Sequence, residues 1–165
     1  MNSVDLEQYK DGIPLDVWEA LSKEEGMDVP MELPSFGISM WPLLHAKGDY
    51  IRIVPMRREI VKGDVVIYHR ESDGKNVAHR VVRVCADSIQ TRGDNTKGKD
   101  EPTPKSTVFG LVTHVRRKGK VICITTRWWH FYGRVMSVTN PVRMFLKVDV
   151  YYPLVRLAKK ILRRK

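Results

Sequence analysis

Ser35-Phe36-Gly37-Ile38-Ser39-Met40-Trp41-Pro42 is the stretch around which the rest of this 165-residue chain is organised. Its glycine, serine and proline residues are typical of a loop, and Val/Ile-rich runs follow it in the sequence. Ser39 lies in this loop and is a candidate nucleophile. A serine hydroxyl is a poor nucleophile at neutral pH, so it needs a base within hydrogen-bond reach and donors for an oxyanion. The remaining sequence must supply these groups.

Three further stretches follow the loop in order, and each is short enough to occur by chance. They are Lys62-Gly63-Asp64-Val65-Val66, Ala78-His79-Arg80-Val81-Val82 and Arg92-Gly93-Asp94-Asn95. As an ordered set with the serine loop they are far more specific than any one of them. Together they resemble the signal peptidase family, in the branch that uses a Ser-His pair rather than Ser-Lys. The resemblance covers roughly residues 35–115.

The resemblance implies that Ser39 is the nucleophile and His79 its general base. From the pattern alone, His79 shares a strand face with Val77 and Val81, and a histidine in such a position usually belongs to a core. The family keeps its base on this strand, followed by an arginine, so the resemblance favours a catalytic histidine. A neutral imidazole accepts the serine proton and returns it to the leaving amine.

Two aspartates are candidates for the group that orients His79 and fixes its tautomer. Asp94 lies in the Gly-Asp-Asn turn, where an aspartate commonly binds backbone amides. Asp100 lies six residues later in a charged loop. The family has a second aspartate shortly after its Gly-Asp-Asn, which favours Asp100 slightly. Both aspartates stay candidate catalytic residues.

Gly37 and Met40, close to Ser39 in the loop, are predicted to contribute to substrate binding. The oxyanion hole should include the backbone N–H of Ser39. Bacterial Ser-Lys members of the family add a serine hydroxyl two residues before the nucleophile, and this chain has Gly37 there. Gly37 leaves room for a substrate backbone that pairs as an added strand. Met40 is expected to be a buried anchor that holds the loop in place.

The sequence predicts a mainly β core, and the resemblance implies a core of the signal peptidase and repressor type. Short runs rich in valine and isoleucine are separated by glycine turns. The predicted strands are residues 50–55, 65–68, 77–84, 88–92, 108–115 and 120–125. Residues 96–107 are polar, contain two prolines and are predicted to form a loop.

Charge divides the chain into three parts. Residues 1–34 hold nine acids and two bases and predict an acidic helical arm, with a helix over residues 3–25. Residues 35–126 carry a net charge of +8 and form the predicted peptidase β domain. Residues 127–165 hold ten bases and one acid and predict a helical extension. In that extension, Asn140-Pro141 is typical of a helix start, and residues 154–165 predict a basic amphipathic helix.

No apolar run approaches the length of a transmembrane helix, and the N-terminus lacks the pattern of a signal peptide. We therefore expect a cytoplasmic protein that is peripheral at a membrane, where residues 154–165 meet an anionic surface. No His/Cys cluster has the spacing of zinc ligands, so neither a metal nor a cofactor is expected. Cys85 and Cys123 lie in Val/Ile-rich runs and are expected to be buried thiols.

The aromatic cluster at residues 128–132 has three interpretations. The favoured one is that it caps the β core. A second is that it enters a bilayer interface, where Trp and Tyr are enriched. The third, base stacking, is disfavoured because the chain has no recognised nucleic-acid module, and no nucleic-acid partner is expected.

The sequence thus predicts a serine peptidase without a membrane anchor, which cleaves a peptide or protein precursor. Removal of a leader from a ribosomally made peptide is one specific hypothesis. A self-cleaving, DNA-binding repressor is disfavoured, because the 34 residues before the loop are acidic and too few for a helix-turn-helix. The alternative is a non-catalytic module on the same fold that binds peptides or membrane surfaces. The joint presence of the four candidate catalytic residues argues against that alternative.

Overall fold

A computed structural model describes residues 17–18, 20, 29–46, 48–70 and 72–162. Eight strands of these residues form one antiparallel sheet, and a long helical segment follows them in the chain. The mainly β prediction is therefore confirmed. The strands are β1 (Met31–Pro34), β2 (Asp49–Pro55), β3 (Val65–Arg70), β4 (Lys75–Val84), β5 (Ser88–Arg92), β6 (Thr103–Pro104), β7 (Val108–Arg117) and β8 (Lys120–Cys123).

The strand order brings distant parts of the sequence together. The sheet runs β1-β2-β7-β3-β4-β5-β6, and β8 pairs with β7. Lys118 and Gly119 connect β7 to β8 and both have positive φ, which is the conformation of a two-residue type I′ hairpin turn. Gly74, with φ of 65°, serves the hairpin between β3 and β4. β4 therefore lies between β3 and β5, and a short turn connects it to each of them.

Apolar side chains form two clusters, and β3 contributes to both. Val65 and Ile67 belong to one cluster, whereas Val66 and Tyr68 belong to the other, because successive side chains of a strand point to opposite faces. The first cluster also contains Trp18, whose indole N–H donates to the carbonyl of residue 29 at 2.7 Å. Residues 17–18 and 20 are helical, and the rest of the helix predicted over residues 3–25 lies outside the described residues.

The C-terminal segment consists of helix α1 (Arg127–Met144), a π-helical segment (Phe145–Tyr151) and helix α2 (Tyr152–Leu162). The prediction of a helix start at Asn140-Pro141 is wrong, since both residues lie inside α1. A proline within a helix leaves the carbonyl four residues earlier without its helical donor. That carbonyl belongs to Ser137, and the guanidinium of Arg92 donates to it. The sheet thereby replaces the missing hydrogen bond. Among the described residues, no helix is long and apolar enough to cross a membrane.

Two smaller expectations also differ from the structure. The predicted loop over residues 96–107 contains the short strand β6, which pairs with β5, and a 3-10 turn at Lys105–Thr107. Of the two cysteines expected to be buried, Cys85 is exposed and Cys123 is half-buried. Cys85 follows the last residue of β4, where its N–H donates to the carbonyl of Ser88 at 2.9 Å and closes the turn into β5. A turn between two strands projects into solvent, so the apolar run before Cys85 does not imply burial.

Candidate active site

Three of the predicted residues, from three separate segments, form one hydrogen-bonded series. Ser39 Oγ lies 3.0 Å from Nε2 of the His79 ring. The other ring nitrogen, Nδ1, lies 2.6 Å from Oδ2 of Asp100. These contacts are of the kind that joins a nucleophile, a base and an orienting acid. The residues are 40 and 21 positions apart in the sequence, so the fold and not local structure brings them together.

His79 is fixed by its strand, and Asp100 reaches it through a loop that folds back on β5. His79 lies in β4 opposite Val66 of β3, and its side chain is 5% exposed. The Asp100 N–H donates to the carbonyl of Thr91 at 2.9 Å, and the Gln90 side chain donates to the Asp100 carbonyl at 3.2 Å. The backbone at residue 100 is therefore held beside β5, with its carboxylate on the imidazole.

Two buried hydroxyls also support the Asp100 carboxylate. Thr91 Oγ1 donates to Asp100 Oδ2 at 2.7 Å. A threonine hydroxyl has one proton, so Tyr68 must be the donor in its 2.9 Å contact with Thr91 Oγ1. Both residues are fully buried. The structure thus contains a directed series from Tyr68 through Thr91 to Asp100 and on to His79.

Protonation states in this series follow from burial and hydrogen bonding. Burial raises the pKa of Asp100, but hydrogen bonds from His79 and Thr91 outweigh that effect and hold the pKa below the ordinary value of 3.8. Burial is also the main reason that the pKa of Tyr68 rises to about 12. At neutral pH, Asp100 is therefore an acceptor and Tyr68 a donor, as the geometry requires.

The Gly93-Asp94-Asn95 turn anchors the serine loop. The Asn95 N–H donates to the Ser39 carbonyl at 2.7 Å, and the Asn95 side-chain amide donates to the Ile38 carbonyl at 2.9 Å. Position 93 requires glycine, because the Ser39 carbonyl and the His79 ring lie very close to its Cα. A Cβ at this position would lie 2.6 Å from the Ser39 carbonyl oxygen and 3.1 Å from His79 Nε2. A side chain at residue 93 would therefore displace the serine or the imidazole.

Asp94, the other aspartate left open by the sequence, binds Arg80 and not His79 among the described residues. Its two carboxylate oxygens accept hydrogen bonds from the Arg80 guanidinium at 2.8 and 2.7 Å. Both side chains are 3% exposed. The Asp94 carbonyl accepts from the side chain of Asn140 in α1. Asp94 therefore ties the turn to β4 and to the helix, and Asp100 is the acid on the imidazole.

Helix α1 covers the Arg80–Asp94 pair, and a glycine of the helix makes room for it. A Cβ at Gly133 would lie 2.6 Å from Nη1 of Arg80. The same nitrogen donates to the Gly63 carbonyl at 2.9 Å, which connects the pair to the turn before β3. Three of the four stretches that the sequence singled out thus meet around one buried guanidinium.

Ser39 lies in an open cleft of about 610 Å³ whose walls are mainly apolar. Gly37 and Met40, the two predicted substrate-binding residues, both line it. Gly37 has φ of 77°, and a Cβ built there meets no atom of the described residues within 4 Å. Met40 is 3% exposed and belongs to the larger apolar cluster. The remaining apolar lining comes from Leu33, Pro34, Phe36, Leu44, Ile51, Ile67, Val77 and Ala78.

Tyr68 and Thr91 are the site residues that sequence analysis missed. A signal for Thr91 was present, because it shares a face of β5 with Ile89 and a hydroxyl on a buried face needs a hydrogen-bond partner. Tyr68 ends a run of apolar residues that begins at Val65, and its ring alone explains such a position. The sequence did not indicate that the two hydroxyls meet.

The chemistry available at this site is proton transfer coupled to nucleophilic attack. A carboxylate, an imidazole and a hydroxyl in series remove the hydroxyl proton as the oxygen attacks an electrophile. No three His, Cys, Asp or Glu side chains of the described residues converge as a metal-binding group. Comparisons of the chain with protein-family models, with curated proteins and with solved structures found no match.

Proposed function

We propose that this chain is a serine peptidase related to signal peptidases, with Ser39 as nucleophile, His79 as general acid and base, and Asp100 as the orienting acid. One observation carries the proposal, namely the continuous contact from Ser39 Oγ through the imidazole to the Asp100 carboxylate. The antiparallel core is then of the signal peptidase and repressor type.

The proposed reaction follows from the direction of these hydrogen bonds. Asp100 accepts the Nδ1–H of His79, which leaves the Nε2 lone pair on Ser39. As Oγ attacks a peptide carbonyl, its proton moves to Nε2, and the carbonyl electrons move to oxygen. The Ser39 backbone N–H is the proposed donor to that oxyanion. The C–N bond then breaks as the imidazolium protonates the leaving amine, which leaves an ester on Ser39 Oγ. In the second half, His79 Nε2 takes a proton from a water molecule as it attacks the ester carbonyl, and the ester bond breaks as the imidazolium returns that proton to Ser39 Oγ.

An extended peptide or protein precursor is the proposed substrate. β1 pairs with β2 alone among the described strands. β4 pairs with β5 only from Arg80 onward, so no described strand occupies that edge of residues 75–79. Both edges border the apolar cleft. A peptide that adds a strand to these edges brings a backbone carbonyl to Ser39, with apolar pockets for its side chains. Leader removal from a ribosomally made precursor, in the cytoplasm or at the inner membrane face, fits this substrate class.

Covalent labelling tests the proposal most directly. We expect a fluorophosphonate probe to modify Ser39, as read out by peptide mass spectrometry, and Ser39→Ala to lower hydrolysis of a peptide library by about 10⁴-fold or more. Ser106→Ala, at an exposed serine of the 3-10 turn, is the matched control and should retain labelling. A folded protein that neither reacts with the probe nor cuts any peptide would instead be the non-catalytic binding module.

A further inference from the structure

The outward face of the C-terminal helical segment carries a continuous row of apolar side chains. We define this apolar stripe as Trp128, Phe131, Val135, Val138, Val142, Leu146, Val150 and Leu154. All eight side chains are exposed, between 38% and 74%. The stripe spans roughly 40 Å at the rise of an α-helix. Monomeric soluble proteins rarely expose so long an apolar patch unless another surface covers it.

The helix geometry keeps the stripe on one side. In α1 its members recur at alternating steps of three and four residues, which is the spacing of one α-helical face. From Val142 onward they recur every four residues, and most of this part is the π-helical segment Phe145–Tyr151. A π-helix has more residues per turn than an α-helix, so steps of four stay aligned where they would drift in an α-helix.

The opposite face of α1 already has its partner. Gly133, Met136, Asn140 and Met144 are buried, and Asn140 donates to the Asp94 carbonyl. Lys147 and Asp149 extend this attachment, since Lys147 donates to Asn95 and Asp149 pairs with Lys97. The helical segment is therefore held against the sheet, and the apolar stripe is left on its free side.

The charge around the apolar stripe indicates what covers it. Residues 127–165 hold ten bases and one acid, and that acid is Asp149, already paired with Lys97. Arg127, Arg134, Arg156 and the pair Lys159-Lys160 are exposed. Two copies of such a helix repel each other, whereas an anionic lipid surface attracts it. The aromatic members and neighbours of the stripe, including Tyr151 and Tyr152, are residues enriched at bilayer interfaces.

We propose that the helical segment from Arg127 to Leu162 lies on an anionic bilayer surface, with the apolar stripe in the interface and the basic residues at the headgroups. This proposal is independent of the peptidase activity, because it uses none of the groups in the cleft. The sequence predicted membrane contact for residues 154–165, and the proposal extends this contact over the whole length of α1. The serine loop contacts the sheet-facing side of the segment, where Lys147 Nζ lies 5.7 Å from the Trp41 ring, so the stripe stays free to meet the bilayer.

Vesicle co-sedimentation of the full chain tests this docking. We expect binding to vesicles of equal parts phosphatidylglycerol and phosphatidylcholine, little binding to phosphatidylcholine alone, and weaker binding as salt rises. The variant Val138→Ser/Val142→Ser removes two highly exposed members of the stripe, at 74% and 63% exposure, without a change of charge. We expect it to bind about tenfold more weakly.

Two matched controls make the outcome specific. Val84→Ser/Val121→Ser changes two exposed valines of the sheet and should bind as the parent does. Lys159→Gln/Lys160→Gln should lose more binding than Lys118→Gln/Lys120→Gln in the β7–β8 hairpin. Because every changed side chain is exposed, thermal unfolding of the variants should match the parent and exclude a general loss of structure.

Two results would overturn the proposal. One is equal vesicle binding by the stripe variant and its sheet control. The other is a stable dimer in lipid-free solution that Val138→Ser/Val142→Ser dissociates, seen by analytical ultracentrifugation, since a second copy would then cover the stripe. Labelling of Ser39 by the fluorophosphonate probe is measured on the same samples and reports separately on the peptidase proposal.

Discussion

His79 and Arg80 are adjacent residues of β4, and each binds an aspartate from the segment after β5. The His79–Asp100 pair faces the cleft, where the Asp100 side chain is 16% exposed. The Arg80–Asp94 pair lies on the opposite side of the strand under α1, with both side chains 3% exposed. Alternation of side chains along a strand produces this separation. One strand therefore carries two basic side chains, each paired with an aspartate, one at the open cleft and the other buried under α1.

The two pairs differ in whether the basic side chain has a nitrogen that can exchange a proton with another group. Nε2 of His79 reaches Ser39, so one side of that ring is free for a proton to arrive and leave. The guanidinium of Arg80 is held by Asp94 and by the Gly63 carbonyl, and arginine does not lose its proton in proteins. The Arg80 pair therefore connects strand, turn and helix, whereas the His79 pair is the one that reacts in the proposed mechanism.

Among changes to the two aspartates, Asp100→Asn should cause the larger loss of activity. The amide does not hold the Nδ1–H tautomer as a carboxylate does, so we expect kcat/KM to fall by about 10³–10⁴-fold. Asp87→Asn, at an exposed aspartate between β4 and β5, is the control and should be fully active. Steady-state kinetics with a cleavable peptide measures both. Equal activity of the two variants would contradict the assignment of Asp100.

Unfolding of the same variant at acid pH tests whether folding lowers the pKa of Asp100. A carboxylate whose pKa is lowered by folding stabilises the native state above the ordinary value of 3.8, and this stabilisation is lost as pH falls through the lowered pKa. The wild type should therefore lose more stability than Asp100→Asn when the pH is taken from neutral to below 3.8. Urea unfolding at each pH provides the measurement.

Asp94→Asn should act mainly on stability. It leaves the buried Arg80 guanidinium without its counter-charge, and removal of one partner of a buried pair costs about 3–5 kcal/mol. We expect a lower free energy of unfolding in urea, with kcat/KM of the folded fraction reduced less than in Asp100→Asn. Arg80→Met/Asp94→Leu, which removes both charges, should recover much of that stability. A stable but inactive Asp94→Asn would contradict the assignment and would indicate that Asp94, not Asp100, orients His79.

Gly93→Ala should show how much activity depends on the position of the serine loop when Ser39, His79 and Asp100 are unchanged. The added Cβ would meet the Ser39 carbonyl oxygen at 2.6 Å, so the loop must move while Ser39, His79 and Asp100 are all retained. A displacement of about 1 Å costs on the order of 10²-fold in rate. Gly98→Ala is the matched control, because a Cβ there meets no described atom within 4 Å. If both variants are fully active, the close approach has no catalytic role.

The sequence predicted the strands better than the helices. Alternating residues such as Ile51 and Ile53 report directly on a strand with one buried face, and the structure has that strand as β2. The helix start was misplaced because Asn140-Pro141 has the local signature of one. The arginine that makes Pro141 tolerable inside α1 is Arg92, which lies 45 residues before Ser137 and donates to its carbonyl. Local propensity contains no information about that contact.

The candidate site shows the same limit at the level of single side chains. Resemblance proposed Ser39 and His79 from their positions in short motifs, and their side chains lie 3.0 Å apart. The choice between Asp94 and Asp100 depended on the path of a loop, and that path is set by the Asp100 N–H bond to the Thr91 carbonyl. The C-terminal sequence likewise showed apolar residues at helical spacing. It did not show which of them face the sheet and which form the apolar stripe.

Thr91→Val should have the smallest effect, because Thr91 positions Asp100 and touches no reacting atom. Loss of its hydrogen bond raises the pKa of Asp100 and loosens the carboxylate, and we expect kcat/KM to fall by about tenfold, since one such bond to a charged group contributes about 1.5–3 kcal/mol. The variant also leaves the buried Tyr68 hydroxyl without an acceptor, which costs about 1–3 kcal/mol of stability. Thr107→Val, at a hydroxyl that donates to the Pro104 carbonyl, is the control.

The double variant Tyr68→Phe/Thr91→Val distinguishes positioning from packing. It removes the unpaired phenol, so stability against urea should recover. The carboxylate still lacks its Thr91 donor, so the tenfold loss in kcat/KM should remain. Recovery of activity together with stability would mean that Thr91 only fills space. Activity that stays low in a restored fold would mean that the buried Tyr68–Thr91 series holds Asp100 for His79.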